Sequence, residues 1–176
     1  MPPRRWTVLF DCGDTLVDEA TEVKDPRGAT LRADLIPGAA EAVRELHRRG
    51  YRIGLVADGF TDTFRNVLTQ HGLGDLFAAM AISEEVGVMK PDPRMFRAAL
   101  EAMGVPESDY RRVVMVGNHL GRDIKGANEL GLVSVWLRWS PRRSKVPADA
   151  GEVPAYAIDT PMELLDLLDR LEAESG

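Results

Sequence analysis

The chain has 176 residues, 44% of them hydrophobic, enough for a domain that buries its own core without disulfide or metal staples. A net charge of -6 argues against a general affinity for nucleic acid, and the single cysteine, Cys12, excludes an intramolecular disulfide and a multi-cysteine zinc site. No apolar run reaches membrane length, and the one behind Arg4 and Arg5 is too short for a signal-peptide core, so a soluble, cytoplasmic protein is expected.

Residues 6–11 form an apolar run of strand length that ends in the carboxylate of Asp11, a turn through Cys12 and Gly13, and a second carboxylate, Asp14. A bare carboxylate beside a buried strand is costly, so Asp11 has to be paired, metal-bound or chemically employed. Ala40, Val43 and Leu46 then recur at helical spacing before Gly50, and residues 52–57 read as a second strand. Phe64, Val67 and Leu68 mark a helix before Gly72, followed by a strand over 78–82. Asp92-Pro93 supplies an N-cap and a first helical residue for a helix bearing Phe96, Ala99, Leu100 and Met103. A strand over 113–116, a helix through Ile124, Ala127 and Leu130, and a strand over 133–137 come next. Thr160-Pro161-Met162-Glu163 has capping-box spacing and opens a last helix through Leu164, Leu167, Leu168 and Leu171.

Nearly unbroken hydrophobicity implies strands covered on both faces, and the β-α alternation implies a parallel sheet. The expectation is one α/β domain over 1–176: a doubly wound, Rossmann-like sheet of about five strands flanked by helices. Such a sheet collects its functional groups at the carboxyl ends of its strands. Those ends carry Asp11 and Asp14, then Asp58 and Gly59, then Asn118 and His119 with Asp123 just beyond, while Lys90 precedes a helix. Four carboxylates, a lysine and glycine turns suit a divalent cation beside a phosphate-like anion.

In order and spacing, Asp11-Cys12-Gly13-Asp14-Thr15, Ala57-Asp58-Gly59, Lys90-Pro91-Asp92-Pro93 and the loop from Gly117 to Asp123 resemble the motifs of the haloacid dehalogenase superfamily, over residues 8–139. The resemblance implies a hydrolase in which Asp11 attacks phosphorus to give an aspartyl phosphate, Lys90 orients it and Asp123 supports the pair. It implies substrate contacts from Gly13, Asp14, Thr15, Asp58 and Gly59, and Mg²⁺ held by Asp11, Gly13, Asn118 and Asp123. The substrate would be a small phosphorylated compound or a larger anionic one. Family members usually carry a cap domain; here residues 17–36 are too few for one, and 19–34 are charged and rich in turn formers, so a short mobile flap is expected. The crevice would then be open, or covered by a neighbouring subunit of a homo-oligomer.

Three positions depart from the phosphatase pattern. Gly13 stands where the family has the acid that protonates the leaving oxygen, a contribution of about 10²–10⁴-fold. Ala57 replaces a phosphoryl-binding hydroxyl, and Asn118 replaces the main magnesium carboxylate. Asp58 or Asp14 could restore the missing charge, and His119 could replace the proton donor. A slow phosphatase, a metal-independent dehalogenase-like hydrolase and a catalytically silent binding or regulatory module all stay open. The basic stretch with Arg138, Arg142, Arg143 and Lys145 reads as a solvated loop with Trp136 and Trp139 in the core, the alternative being a grip on an anionic substrate.

Overall fold

The structure is a computed structural model and describes residues 4–175. In chain order it forms β1 (Thr7–Phe10), a hairpin of β2 (Val23–Lys24) and β3 (Thr30–Arg32), α1 (Ala39–Arg48), β4 (Arg52–Ala57), α2 (Thr61–Gln70) and β5 (Ala79–Ile82). A short α3 (Ser83–Val86) precedes α4 (Pro93–Ala102), β6 (Val113–Gly117), α5 (Lys125–Leu130), β7 (Val133–Leu137), β8 (Tyr156–Ile158) and α6 (Glu163–Glu174). The main sheet has six strands in the order β5-β4-β1-β6-β7-β8, all pairs parallel. The five expected strands are present; β8 is the addition. Two of its three residues are exposed, so it carries no apolar run to announce it.

Side-chain alternation along β1 divides the core. Val8 and Phe10 face α1, α2 and α6, packing with Val43, Leu46, Phe64 and Leu168, while Leu9 faces Met95, Phe96 and Ala127 on α4 and α5. A strand buried on both faces has to be apolar throughout, which is why these strands read as runs rather than alternations. The sequence direction reverses beside β1, with β4 on one flank and β6 on the other. That reversal opens a crevice beyond the strands' carboxyl ends.

Asp92 caps α4 as expected, accepting from the Arg94 N–H at 2.9 Å with Pro93 in the first turn. The expected capping box of α6 does not close on the Thr160 side chain. The helix starts at Glu163, whose carboxylate instead accepts from the Asp159 N–H at 2.9 Å. The segment expected as a mobile flap contains the β2–β3 hairpin, docked on α2. The Thr30 N–H donates to Thr63 Oγ1 at 2.8 Å, Asn66 Nδ2 to the Thr30 carbonyl at 3.0 Å, and the Ala33 N–H to Gln70 Oε1 at 3.0 Å. Among the described residues no helix is long and apolar enough to cross a membrane.

Candidate active site

Asp11 leaves β1 with its N–H still bonded to the Val116 carbonyl of β6, so the strand pairing fixes where its carboxylate emerges. The chain then turns around the Cys12 carbonyl, which accepts from the N–H groups of Thr15, Leu16 and Val17, and Asp14 takes the left-handed conformation at φ +56° that this tight turn requires.

Lys90 is the hub of the site. Its Nζ donates to Asp11 Oδ1 at 2.9 Å, to Asp123 Oδ1 at 2.7 Å and to the Val56 carbonyl at 2.7 Å, using all three of its protons. Asp123 reaches the lysine from a π-helical turn over Leu120–Ile124, and its second oxygen accepts from the His119 N–H at 3.0 Å. This return is possible only because residue 117 is glycine: a Cβ there would lie 2.3 Å from the Asp123 carboxylate. Burial alone would pull the Lys90 ammonium down; the charges of Asp11, Asp123 and Asp58 outweigh it and hold the group above the ordinary lysine value. Burial raises the Asp11 carboxyl and the charge of Asp123 adds to the rise, against the pull of Lys90.

Around these groups lies a cavity of about 300 Å³, lined among others by Asp11, Gly13, Asp58, Gly59, Asn118 and His119. The hairpin roofs it through Glu22, Lys24 and Thr30. Asp58 Oδ1 accepts from the Lys90 backbone N–H at 2.9 Å, while its other oxygen has no hydrogen bond and faces Arg122 at 3.5 Å. The Gly59 N–H is bound to Ser83 Oγ at 2.8 Å. Ala57 is buried within β4 and offers no polar group. The His119 ring is half-buried with Nδ1 unpartnered; burial first, then the charges of Arg122 and Arg143, push its pKa below the ordinary value, so it is neutral at pH 7. Cys12 is buried, and burial with the charge of Asp11 pushes its thiol up, leaving it protonated and inert.

Two expected substrate contacts lie behind the cavity wall. Thr15 is buried, donating to Asp11 Oδ2 at 3.2 Å and accepting from Asn118 Nδ2 at 3.0 Å, so it steadies the loop that carries Asp11. Asp14 turns away altogether: its carboxylate accepts from Ser140 Oγ at 2.7 Å, from the Glu19 N–H at 3.1 Å and from the Arg142 guanidinium. It therefore supplies no free charge to the crevice.

The basic loop is also corrected. Trp136 is buried as expected, its indole N–H donating to the Asn118 carbonyl at 3.2 Å, and Trp139 packs against the core. Arg142 and Arg143, however, fold back over the first loop instead of standing in solvent. Arg143 Nε donates to Asn118 Oδ1 at 3.1 Å, and its Nη2 to the two Glu19 carboxylate oxygens at 2.9 and 2.8 Å.

Glu19 is a lining residue to which sequence reasoning assigned no role, and Arg143, read there only as an alternative grip on an anion, lies beside it. Arg143 was legible as a cation beyond a strand end. Glu19 was not, although its position explains Gly13: a Cβ at residue 13 would fall 2.3 Å from Glu19 Oε1. The carboxylate of Glu19 thus fills the space that a residue-13 side chain would enter.

A strand-end aspartate, a buried lysine and a late acidic loop thus meet at the switch point of a parallel sheet. The sequence pattern of haloacid dehalogenase-like hydrolases matches residues 12–131, and the chain belongs to that family. It is 34% identical over 135 residues to a glyceraldehyde 3-phosphate phosphatase of Methanopyrus kandleri, covering 77% of this chain and 57% of that protein. It is 40% identical over 106 residues to a phosphoserine phosphatase of Thermus thermophilus, covering 60% of this chain and 41% of the other. The chain thus spans about half the length of these curated relatives. The magnesium-bound HAD-hydrolase YfnB of Bacillus subtilis shares its fold, with a TM-score of 0.77 and 20% identity over 94% of this chain and 99% of that one.

Phosphatases of this family generally use Mg²⁺. The donor set here does not fit a resident Mg²⁺. Asn118 turns Nδ2, a donor, toward Asp11 Oδ2 at 2.9 Å and the Gly13 carbonyl at 2.7 Å, where a cation would need an oxygen. Both Asp123 oxygens are already occupied, and among the described residues no three His, Cys, Asp or Glu side chains are grouped to hold a metal.

Proposed function

We propose that this chain carries out hydrolysis of a small phosphomonoester through an aspartyl-phosphate intermediate on Asp11. The observation that carries the reading is the bonded chain Asp11–Lys90–Asp123, at 2.9 and 2.7 Å, opening on the cavity. The phosphatase relatives support it, and a cavity of about 300 Å³ sits at the lower end of small-molecule sites. Lys90 fixes the direction of the Asp11 carboxylate, and Asp123 with the Val56 carbonyl fixes Lys90, so the nucleophile is aimed before substrate arrives.

An Asp11 oxygen forms a bond to phosphorus as the bond to the leaving oxygen breaks, and that oxygen takes a proton from water in the open crevice to depart as an alcohol. Water then adds to phosphorus, releasing inorganic phosphate and restoring the carboxylate. Glu19 brings the carboxyl that Gly13 lacks, and no step is routed through a metal ion. The buried, protonated Cys12 is in keeping with a cytoplasmic enzyme.

The neutral amide beside Asp11 favours one second reading, metal-independent displacement of halide from carbon by the same carboxylate. A phosphomonoester screen with phosphate readout, run beside 2-haloacids with halide readout and with Asp11→Asn, tests both. Phosphate release that vanishes in Asp11→Asn supports the hydrolase; halide release alone selects the second reading; neither product in wild type overturns both.

A further inference from the structure

We propose that Asn118 and Arg143 together occupy the place of the divalent cation, and that the crevice binds a phosphoryl group on the Arg143 guanidinium without any metal. The inference rests on the phosphoryl-transfer reading of the same crevice and names the group that offsets its charge.

The amide of Asn118 is engaged on both sides. Nδ2 faces three oxygens, Asp11 Oδ2 at 2.9 Å, the Gly13 carbonyl at 2.7 Å and Thr15 Oγ1 at 3.0 Å, whereas Oδ1 faces Arg143 Nε at 3.1 Å. Turning the amide to offer Oδ1 to a cation would break the bond from Arg143 Nε and set an NH₂ group against that guanidinium. An aspartate at this position would have no donor to give Asp11. The asparagine therefore does at Asp11 Oδ2 what a cation does, presenting positive polarity to the nucleophile, but as a hydrogen-bond donor.

The formal charge comes from Arg143. Its Nη2 is clamped by Glu19, at 2.9 and 2.8 Å to the two carboxylate oxygens, and its Nε by Asn118. Nη1 makes no hydrogen bond among the described residues, and the side chain lines the cavity. Lys90 cannot serve an anion in this way, because its three protons are spent on Asp11, Asp123 and the Val56 carbonyl. Two N–H bonds on a fixed planar cation suit phosphoryl oxygens geometrically. The mount is prepared as well: Arg142, the preceding residue, is tied to buried Asp14 and to Asp18, which anchors the loop that delivers Arg143. A dication entering beside Asp11 would meet this guanidinium and Lys90, so metal and Arg143 exclude each other.

The test uses the whole chain and two probes, MgCl₂ and inorganic phosphate, each read by backbone NMR shifts. Wild type is expected to show no saturable Mg²⁺ response at millimolar concentration, and to bind phosphate in EDTA. Arg143→Gln is expected to weaken that phosphate binding by about tenfold or more, with its NMR spectrum still that of a folded chain. The pair Asn118→Asp with Arg143→Gln, which restores an acid and removes the competing cation, is expected to gain Mg²⁺ binding. Saturable Mg²⁺ binding by wild type at Gly13 and Asn118, or phosphate affinity untouched in Arg143→Gln, overturns the proposal, and the wild-type titration decides it even if a variant does not fold. Neither probe requires turnover. A protein that binds phosphate through Arg143 but hydrolyses no phosphomonoester sinks the hydrolase reading and supports this one; turnover that requires Mg²⁺ does the reverse.

Discussion

Asp11 and Asp14 sit three positions apart in one loop, both beside cationic side chains, and the structure gives them opposite work. Asp14 is 0% exposed, and its carboxylate is surrounded by Arg142, Ser140 and the Glu19 N–H. Burial pushes its pKa up, but the hydrogen bonds from Arg142 and Ser140 prevail and hold it below the ordinary aspartate value. The Asp11 side chain keeps 14% exposure toward the cavity, and it shares Lys90 with a second acid, Asp123. Burial and that second charge raise its pKa. A carboxylate with its lone pairs fully engaged is a strut; one kept basic and partly open is free to react. Acid type and local sequence do not separate the two roles, whereas exposure to the cavity does.

The largest expected effect breaks the comparison on the Asp11 side. Asp11→Asn keeps the shape of the site but removes the attacking oxygen, so kcat falls by about 10⁴-fold or more with the melting temperature little changed, checked by steady-state kinetics beside thermal unfolding. Asp14→Ala should do the converse. It strands Arg142 and removes a buried acceptor, costing about 3 kcal/mol of stability, measurable by urea unfolding. The pH dependence carries the same signature. Because Asp14 titrates lower folded than its ordinary 3.8, its stabilisation is complete above that pH and is lost as the pH falls through the folded value. In Asp14→Asn the acid limb of the stability curve should flatten in that window.

The sequence displayed the scaffold and the reactive end of this loop because both rest on runs. Strands buried on two faces have no choice but continuous apolar residues, and Asp11 ends the most central of them. Lys90 and Asp123 could be placed with it because they occupy adjacent strand ends and helix starts. The partners of Asp14, Glu19 and Arg143 were out of reach for one shared reason: they lie more than a hundred residues away in the chain or across a loop whose path no periodicity encodes. Strand β8 and the docking of the hairpin were equally hidden, since the first exposes most of its side chains and the second is held by single hydrogen bonds to Thr63 and Gln70 and from Asn66.

Between the two aspartates, Gly13 offers a sharper cut. Gly13→Asp writes the missing acid back into the sequence, but its Cβ would collide with the Glu19 carboxylate and its charge would repel it. The single change should destabilise by about 2 kcal/mol and fail to raise kcat. Combining it with Glu19→Ala should recover most of that loss, so a double-mutant cycle should show coupling of about 1 kcal/mol or more. Additive effects would mean that Glu19 does not occupy the space assigned to it.

The smallest effect concerns the roof that makes Asp11 face an enclosed cavity while Asp14 lies behind its wall. Asn66 Nδ2 holds the Thr30 carbonyl at 3.0 Å, and Arg27 reaches Asp62 on α2 at 2.9 Å in an exposed ion pair. The first bond is partly buried and the second is solvent-screened, so they should differ. Asn66→Ala should cost about 1 kcal/mol and speed amide exchange across Thr30–Arg32, whereas Asp62→Ala should change stability by about 0.5 kcal/mol at most. The hairpin touches Asp11 only through the cavity it covers. Loosening it should therefore raise KM for a small phosphomonoester while leaving the acid limb set by Asp14 where it was.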